Sequence, residues 1–338
     1  MTPHALHRFS RYWMEYESMN KATQSGIDES VAAEPTGVPA GGLLAPFRRC
    51  RARLGIAGWA GLCVIVGWVS AAIFGAAFGG ANGASYGNGD VQIFAGISAQ
   101  HWLGTDYLGR DMLARVIMGA RYTVGLALVA TLVASGLGTA LALIATVGGT
   151  TVDNTLSRVL DTLTAIPSKM FALIMVAAFG SSTWMLGATA AVIYLPGAYR
   201  IARSLAVNIY AMDYIAVART RGEGLAYIMT QEILPNIAGP MLADLGLRFV
   251  YVVLLLASLS FLGLGIQPPN ADWGSLVREN LDGLAEGSLA VIAPALAIAS
   301  LTIAVNVLID NLAGGKTLLK RKAKIDVMNR TGDTHSEK

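Results

Sequence analysis

The sequence predicts an all-α, polytopic membrane protein with six transmembrane helices, and three observations support this prediction. Hydrophobic residues make up 54% of the 338 residues and charged residues only 14%, with a mean hydropathy of +0.53, unlike a soluble domain. A helix needs about 20 apolar residues to cross a bilayer core, and six apolar runs are close to this length or longer. Lysine and arginine collect at alternate ends of these runs. The predicted spans are 54–78, 122–147, 159–180, 184–201, 236–264 and 289–309.

The first 47 residues are polar and rich in proline and glycine. This tail is expected to form either a disordered extension or an amphipathic helix at the membrane interface. It is not predicted to be a signal peptide, because the first long apolar run begins only near Leu54. Arg48, Arg49, Arg51 and Arg53 precede that run, so the positive-inside rule places the N-terminus in the cytoplasm.

Residues 79–121 then lie outside the cell in this topology. Near their end, Asp106 is expected to cap a short amphipathic helix at the outer membrane surface. The second span carries no charge, and an arginine marks the following loop as cytoplasmic. The third span is less uniform, because it contains Asp161, Pro167 and Lys169.

The fifth span contains Asp244 and Arg248, which are one helical turn apart and are predicted to pair along one face. An ionised side chain at the centre of a membrane helix costs about 3 kcal/mol, so these groups and Lys169 need partners or water. Two interpretations remain open. The three side chains line a hydrated translocation path, or they form a structural ion pair beside a lysine that reaches the membrane surface.

The charge count favours a topology with both termini in the cytoplasm. Near the span ends, 14 lysines and arginines fall on the proposed inner face and 4 on the outer face. We therefore divide the chain into a cytoplasmic N-terminal tail, a first span with an extracytoplasmic segment, a core of five spans and a cytoplasmic C-terminal tail. These divisions are 1–47, 48–121, 122–312 and 313–338.

The composition argues against catalysis or nucleic-acid binding by this chain. The net charge is only +3 and the cations are scattered beside apolar runs, unlike the basic patch of a nucleic-acid-binding protein. No histidine lies within a predicted span, and no nucleophile–base pair or metal cluster is visible there. We predict no catalytic residue, no metal site and no bound cofactor; a membrane enzyme and a scaffold without transport activity are the alternatives.

A charged segment at residues 213–235, here called the central segment, separates the fourth and fifth spans. Asp213 is a candidate N-cap for a short helix from Tyr214 to about Arg221, and Gly222 is expected to end that helix with a positive φ. A second helix is predicted at 225–233. The first helix combines small residues with arginines, a surface that suits docking into a groove of another protein. An ordinary connector is the alternative interpretation.

The central segment resembles the EAA loop of ABC importer permeases. Ala218, Gly222, Leu234 and Pro235 occur at the spacing of that pattern, whereas Ala216 stands where the family usually has Glu. The resemblance implies that the short helix couples this chain to an ATPase. The implied coupling residues are Asp213, Tyr214, Ala218, Arg219, Gly222, Leu234 and Pro235.

Two further stretches resemble motifs of the C-type permease subunits of dipeptide, oligopeptide and nickel ABC importers. They are residues 101–111 (HWLGTDYLGRD) and 258–274 (SLSFLGLGIQPPNADWG), which precede the second span and follow the fifth. Both are predicted to be largely external, so the resemblance implies that they meet a binding protein. The implied docking residues are Asp106, Arg110, Asp111, Gln267, Asn270 and Trp273.

This resemblance implies the six-helix (MetI-like) permease fold and one half of the pore of an ATP-driven importer in the bacterial inner membrane. The implied partners are a homologous permease subunit in a heterodimer, two cytoplasmic ATP-binding subunits that hold ATP and magnesium, and an extracytoplasmic substrate-binding protein, besides membrane lipid. Di- and oligopeptides are the expected cargo, and nickel or another small solute is the alternative.

Overall fold

The computed structural model describes residues 55–79 and 92–311, so the predictions for both tails lie outside the described residues. Within these ranges every regular element is helical. The elements are α1 (Ile56–Gly79), α2 (Met112–Val147), α3 (Thr150–Thr164), α4 (Ser168–Phe179), α5 (Thr183–Tyr210), α6 (Asp213–Thr220), α7 (Leu225–Phe261), α8 (Trp273–Glu279), a 3₁₀ turn (Leu281–Leu284) and α9 (Ile292–Asn311).

The helices confirm the predicted all-α membrane class. Four of those described, α1, α2, α7 and α9, are long and apolar enough to cross a membrane. The number reaches six if each of two bent pairs forms one span: α3 with α4, bent by 82°, and α5 with α6, bent by 72°. The third and fourth predicted spans correspond to these bent pairs.

The second span is longer than predicted because it includes the expected surface helix. α2 runs for 36 residues from Met112, and no proline interrupts residues 112–121. Its N-cap is Asp111, whose carboxylate accepts a hydrogen bond from the Ala114 amide at 2.9 Å. The prediction of a separate short helix capped by Asp106 is therefore wrong. The predicted division between residues 121 and 122 falls within α2.

The third predicted span is broken at Pro167. A residue before proline disfavours the α conformation, and Pro167 itself is extended, with ψ 130°. α3 therefore ends at Thr164 and α4 begins at Ser168. The break places the side chain of Asp161 on an exposed part of α3, where it pairs with Arg200 of α5 at 3.2 Å.

α7 unites the second helix of the central segment with the fifth span. It begins at Leu225, passes through a π turn at Ile228–Ile233 and continues through Pro235 to Phe261. Proline lacks an N–H and its ring crowds the preceding turn, and a wider π turn just before it accommodates that misfit. The helix predicted at 225–233 and the span predicted at 236–264 are therefore one continuous helix, and their predicted separation is wrong.

α2, α5 and α7 form the centre of the fold. α2 and α5 approach closely at Gly138 of α2, since a Cβ on that glycine would lie 2.7 Å from the Ala198 Cβ. Buried apolar side chains form two clusters, one around Trp273 and the other around Tyr199. The second cluster includes Ile215, so the central segment is anchored in the core.

Candidate functional site

The central segment presents a short helix at an angle to the membrane-spanning helix before it. α6 is bent by 72° from α5, because Met212 between them is extended, with ψ 148°. Asp213 is the first residue of α6, Met212 occupies the N-cap position, and no side chain caps the helix. The prediction that Asp213 is the N-cap is therefore wrong, although the position of the helix is confirmed.

Gly222 ends α6 in the predicted way. Its φ is +80°, and the Glu223 amide donates to the Ala218 carbonyl at 3.2 Å while the Gly222 amide donates to the Arg219 carbonyl at 2.9 Å. These two bonds form a Schellman motif. No atom lies within 4 Å of the position that a Cβ of Gly222 would take. The backbone conformation, and not crowding, therefore favours glycine there.

α6 has one anchored face and one free face. Ile215 is 1% exposed and packs in the same cluster as Ile228, and Ala218 is 5% exposed. Tyr214 and Val217 are 38% and 47% exposed. A partner can therefore contact the free face without displacing core side chains.

The remaining predicted coupling residues lie on α6 itself or directly after the π turn of α7. The Arg219 guanidinium lies over the Tyr210 ring, 4.3 Å from its centre, in a cation–π contact that holds it beside the end of α5. The Tyr214 hydroxyl accepts a hydrogen bond from Asn236 at 3.3 Å. Leu234 and Pro235 are the first two residues after the π turn, and both are exposed.

Asp244 and Arg248 form the predicted pair. Arg248 Nη2 donates to Asp244 Oδ2 at 2.6 Å, and Nη1 donates to the Tyr194 carbonyl of α5 at 2.8 Å. Both side chains are nearly buried. Gly197 of α5 faces the guanidinium, since a Cβ there would lie 2.8 Å from Nη1. The pair therefore links α7 to α5, and Gly197, which sequence reasoning missed, makes room for it.

Lys169 is apart from this pair. It is exposed at the beginning of α4, just after the break at Pro167, and it forms no ion pair with any side chain in the part of the chain that the structure describes. A cavity of about 270 Å³ lies at the same break, between Ile166, Phe171 and Val192 of α5. The structure thus joins two of the three predicted path residues.

Residues 92–111 and 262–280 are here called the two-loop cluster. They contain the first of the two motifs that were predicted to be largely external and all but the first four residues of the second, which end α7. At the centre lies Asp106, which is 0% exposed. Its Oδ1 accepts from the Leu108 and Arg110 amides at 2.9 and 2.8 Å, and its Oδ2 accepts from Arg110 Nε at 2.7 Å. Arg115 Nε lies 3.7 Å from the same Oδ2. The carboxylate is thus satisfied within the chain.

Three side chains that sequence reasoning missed, those of Arg115, Glu279 and Asn280, hold the two loops together. Arg115 Nη2 donates to Glu279 Oε2 at 3.1 Å, and the Tyr107 amide donates to Asn280 Oδ1 at 3.0 Å. Burial raises the pKa of Glu279, although the positive charge of Arg115 opposes this shift. The available signal was an arginine and a glutamate at the edges of the two motifs, which a single sequence does not pair.

Trp273 is a packing residue of the two-loop cluster. It is 0% exposed, its indole N–H donates to the Val116 carbonyl at 2.8 Å, and its amide donates to Thr123 Oγ1 at 3.0 Å. The Trp68 ring meets it edge-on at 4.7 Å. Both Trp273 and Asp106 are buried and satisfied internally, and their predicted contact with a docked partner stays a prediction.

The other predicted docking residues divide by exposure. Asp111 is committed to the N-cap and to His101, whose Nδ1 lies 3.1 Å from its Oδ1, and Arg110 is committed to Asp106. Gln267 and Asn270 are exposed and stay predictions. Among the described residues, no group of three His, Cys, Asp or Glu side chains could hold a metal ion.

Comparison of the sequence with known proteins places this chain among membrane transport components. Residues 134–316 match the family of binding-protein-dependent transport system inner membrane components. The glutathione transport system permease protein of Pectobacterium atrosepticum is 33% identical over 217 residues, 64% of this chain and 72% of the relative. The dipeptide transport system permease protein of Haemophilus influenzae is 31% identical over 219 residues, 65% and 74% of the two chains. The di/tripeptide transport system permease protein of Pseudomonas aeruginosa is 32% identical over 217 residues, 64% and 72%.

Proposed function

Because the chain belongs to the family of binding-protein-dependent transport system inner membrane components, which are membrane transport subunits rather than enzymes, we propose that it forms half of the pore of an ATP-driven importer of di- and oligopeptides. The names of the Haemophilus and Pseudomonas relatives support a peptide cargo. None of the relatives reported above is named for nickel, so the nickel alternative has no support among them.

The proposed assembly contains four kinds of chain. The family implies ATP-hydrolysing subunits and a substrate-binding protein in general. The specific proposal is a heterodimer of this chain with a homologous permease, two cytoplasmic subunits that bind ATP and magnesium, and an extracytoplasmic binding protein. The chain is a multi-pass protein of the inner membrane, and the distribution of lysine and arginine supports cytoplasmic termini.

The observation that carries the coupling proposal is the geometry of α6. The helix leaves α5 at 72°, is fixed to the core by Ile215, and exposes Tyr214 and Val217 on its free face. A short helix that is rigidly joined to the membrane core can transmit the movement of a docked ATPase as a rigid body. Closure of the ATPases would move α6 and, through α5 and α7, change which side of the pore is open.

The broken third span is the proposed wall of the translocation path. Irregular backbone at membrane depth is tolerated where it is buried in protein or lines a water-filled cavity, and the break at Pro167 lies beside both a cavity and the exposed Lys169. The Asp244–Arg248 pair is proposed to line the path from α7. Its contacts with Tyr194 and its proximity to Gly197 also support a structural role in holding α5 to α7.

The coupling proposal is tested by Val217→Asp in the complex that co-purifies with this chain, reconstituted into vesicles with its binding protein. Val217 is 47% exposed, so the change leaves the core intact while placing a charge on the free face of α6. We expect peptide uptake to fall at least tenfold with the ATPase either detached or no longer stimulated by substrate.

The matched control is Val152→Asp, which makes the same change at an exposed position of α3, outside the central segment. The control should retain uptake and substrate-stimulated ATP hydrolysis. If Val217→Asp also retained both activities, α6 would not be the coupling element.

The path proposal is tested separately by Lys169→Leu, with Lys169→Arg as the control that keeps the charge. Because Lys169 is exposed and forms no described ion pair, its loss should not change stability. Peptide uptake should fall with leucine and survive with arginine; equal uptake in both variants would remove Lys169 from the path.

A further inference from the structure

An apolar groove of about 700 Å³ lies between α1, α2 and α5, away from the sites described above. Its lining includes Val69 and Ile73 of α1, Val129 of α2, and the small residues Gly125 and Ala188. α1 and α2 are each long and apolar enough to cross a membrane, and α5 is so as one span with α6. A groove between such helices with an almost wholly apolar lining suits an apolar occupant.

One end of the groove is polar and lies at a membrane surface. Arg121 of α2 and Thr183, the first residue of α5, both line it. Arg121 is exposed and forms no ion pair with any acidic side chain in residues 55–79 and 92–311. Trp184 is 84% exposed beside it, and tryptophan at the end of a membrane helix typically lies at headgroup level. This end has the chemistry of a phosphate headgroup site.

The length of the groove matches one leaflet of the membrane. Along α2 its lining extends from Arg121 to Val133, which is about 18 Å of helix. One leaflet of the hydrocarbon core is about 15 Å thick. A transmembrane helix of a partner would cross both leaflets. A groove of about 700 Å³ that is about 18 Å long has a mean cross-section of about 40 Å², which suits an acyl chain and is smaller than that of an α-helix about 10 Å across.

We propose that this groove binds one membrane phospholipid, with an acyl chain along Gly125 and Val129 and its phosphate on Arg121. In the proposed orientation the lipid belongs to the outer leaflet. The binding itself does not depend on the proposed transport function. Because α1, α2 and α5 all contact the chain of this lipid, the lipid joins α1 to the core helices on the side that faces the membrane.

The test is a titration of the full-length chain, with its co-purifying subunits in mild detergent, with dioleoyl phosphatidylglycerol followed by native mass spectrometry. Gly125→Leu places a bulky side chain in the groove, where no atom lies within 4 Å of the Cβ position, and it should abolish the tightest lipid site. Arg121→Gln should weaken that site about fivefold, the contribution of one cation near a membrane surface. Gly136→Leu is the matched control, since that glycine of α2 is exposed, equally uncrowded and outside the groove.

A second titration with dioleoylglycerol, which lacks the phosphate, separates the two halves of the site. Gly125→Leu should still prevent its binding, whereas Arg121→Gln should leave it unchanged. Retention of phospholipid by Gly125→Leu at the wild-type affinity would overturn the proposal. A Val129→Cys variant that crosslinks to another protein subunit in native membranes, and not to a lipid analogue, would also overturn it by showing that a protein fills the groove.

Discussion

The two-loop cluster and the central segment both carry motifs of the same family, but they use them in opposite ways. In the two-loop cluster the most prominent motif residues, Asp106 and Trp273, are 0% exposed and fully bonded within the chain. In the central segment, three of the four motif residues, Gly222, Leu234 and Pro235, are exposed, and no atom lies within 4 Å of the Cβ position of Gly222.

This difference shows that a shared motif does not by itself mark a contact surface. A buried motif residue is constrained by its own packing and hydrogen bonds, so its replacement should reduce stability. An exposed motif residue on a rigid support is free to meet a partner, so its replacement should affect coupling while leaving stability nearly unchanged. The contrast can be tested residue by residue.

The largest effect is expected for Trp273→Ala. The substitution removes a fully buried indole and its hydrogen bond to the Val116 carbonyl, and large-to-small changes of this kind cost about 3–5 kcal/mol in the free energy of unfolding. Trp102→Ala is the matched control in the same cluster, because Trp102 is 69% exposed, and its cost should stay within about 0.5 kcal/mol. Chemical denaturation in detergent, followed by circular dichroism, measures both; equal losses would mean that burial of Trp273 does not stabilise the cluster.

The next effect is expected for Asp106→Asn. The change removes the negative charge that faces Arg110 and Arg115, and breaking a buried ion pair by neutralising one partner costs about 3 kcal/mol. The same replacement at the exposed Asp282 serves as control and should be almost neutral. A stable Asp106→Asn variant that instead lost affinity for its binding protein would support the docking interpretation of this residue.

Sequence reasoning recovered those features that depend on local chemistry. The apolar runs, the end of α6 at Gly222 and the pairing of Asp244 with Arg248 follow from length, backbone preference and helical spacing. It failed where the decisive partner is distant in the chain. Glu279 lies 164 residues from Arg115, and a single sequence does not reveal that contact.

The break of the third span illustrates the same limit. Pro167 and two charges marked this span as irregular, but a single sequence reveals neither the 82° bend nor the ion pair between Asp161 of α3 and Arg200 of α5. The continuity of α7 from the central segment into the fifth span was missed because proline usually separates helices. A π turn, which has no sequence signature, accommodates it here.

A smaller effect is expected for Gly222→Val in the central segment. Valine in a left-handed conformation costs about 1–2 kcal/mol, so the Schellman bonds at the end of α6 should loosen while the core remains folded. Gly224→Val is the control, because Gly224 has φ −72° and no atom within 4 Å of its Cβ position. Hydrogen exchange of the backbone amides of residues 222 and 223 should become severalfold faster in Gly222→Val but not in Gly224→Val. Substrate-stimulated ATP hydrolysis should be lost in Gly222→Val alone. Unchanged exchange would show that the positive φ is not needed to end α6.

The smallest effect is expected in the pH dependence of stability. It should arise from Glu279, which belongs to the two-loop cluster and not to the central segment. Burial raises the pKa of this carboxyl above its ordinary value, with Arg115 opposing the shift. Between the pKa of the unfolded chain and the raised pKa of the folded one, the folded state holds more protons, so stability falls as pH rises through that interval.

Glu279→Gln removes this titration, and the decline in stability over the same interval should become shallower than in the wild type. Burial also raises the pKa of Asp272, so part of the slope should persist in the variant. Glu286→Gln, at an exposed position, should keep the wild-type slope. Denaturation midpoints measured across this pH range decide the matter. Identical profiles for the wild type and Glu279→Gln would mean that Glu279 is solvated in the folded protein, and that the two-loop cluster is more open than its buried hydrogen bonds indicate.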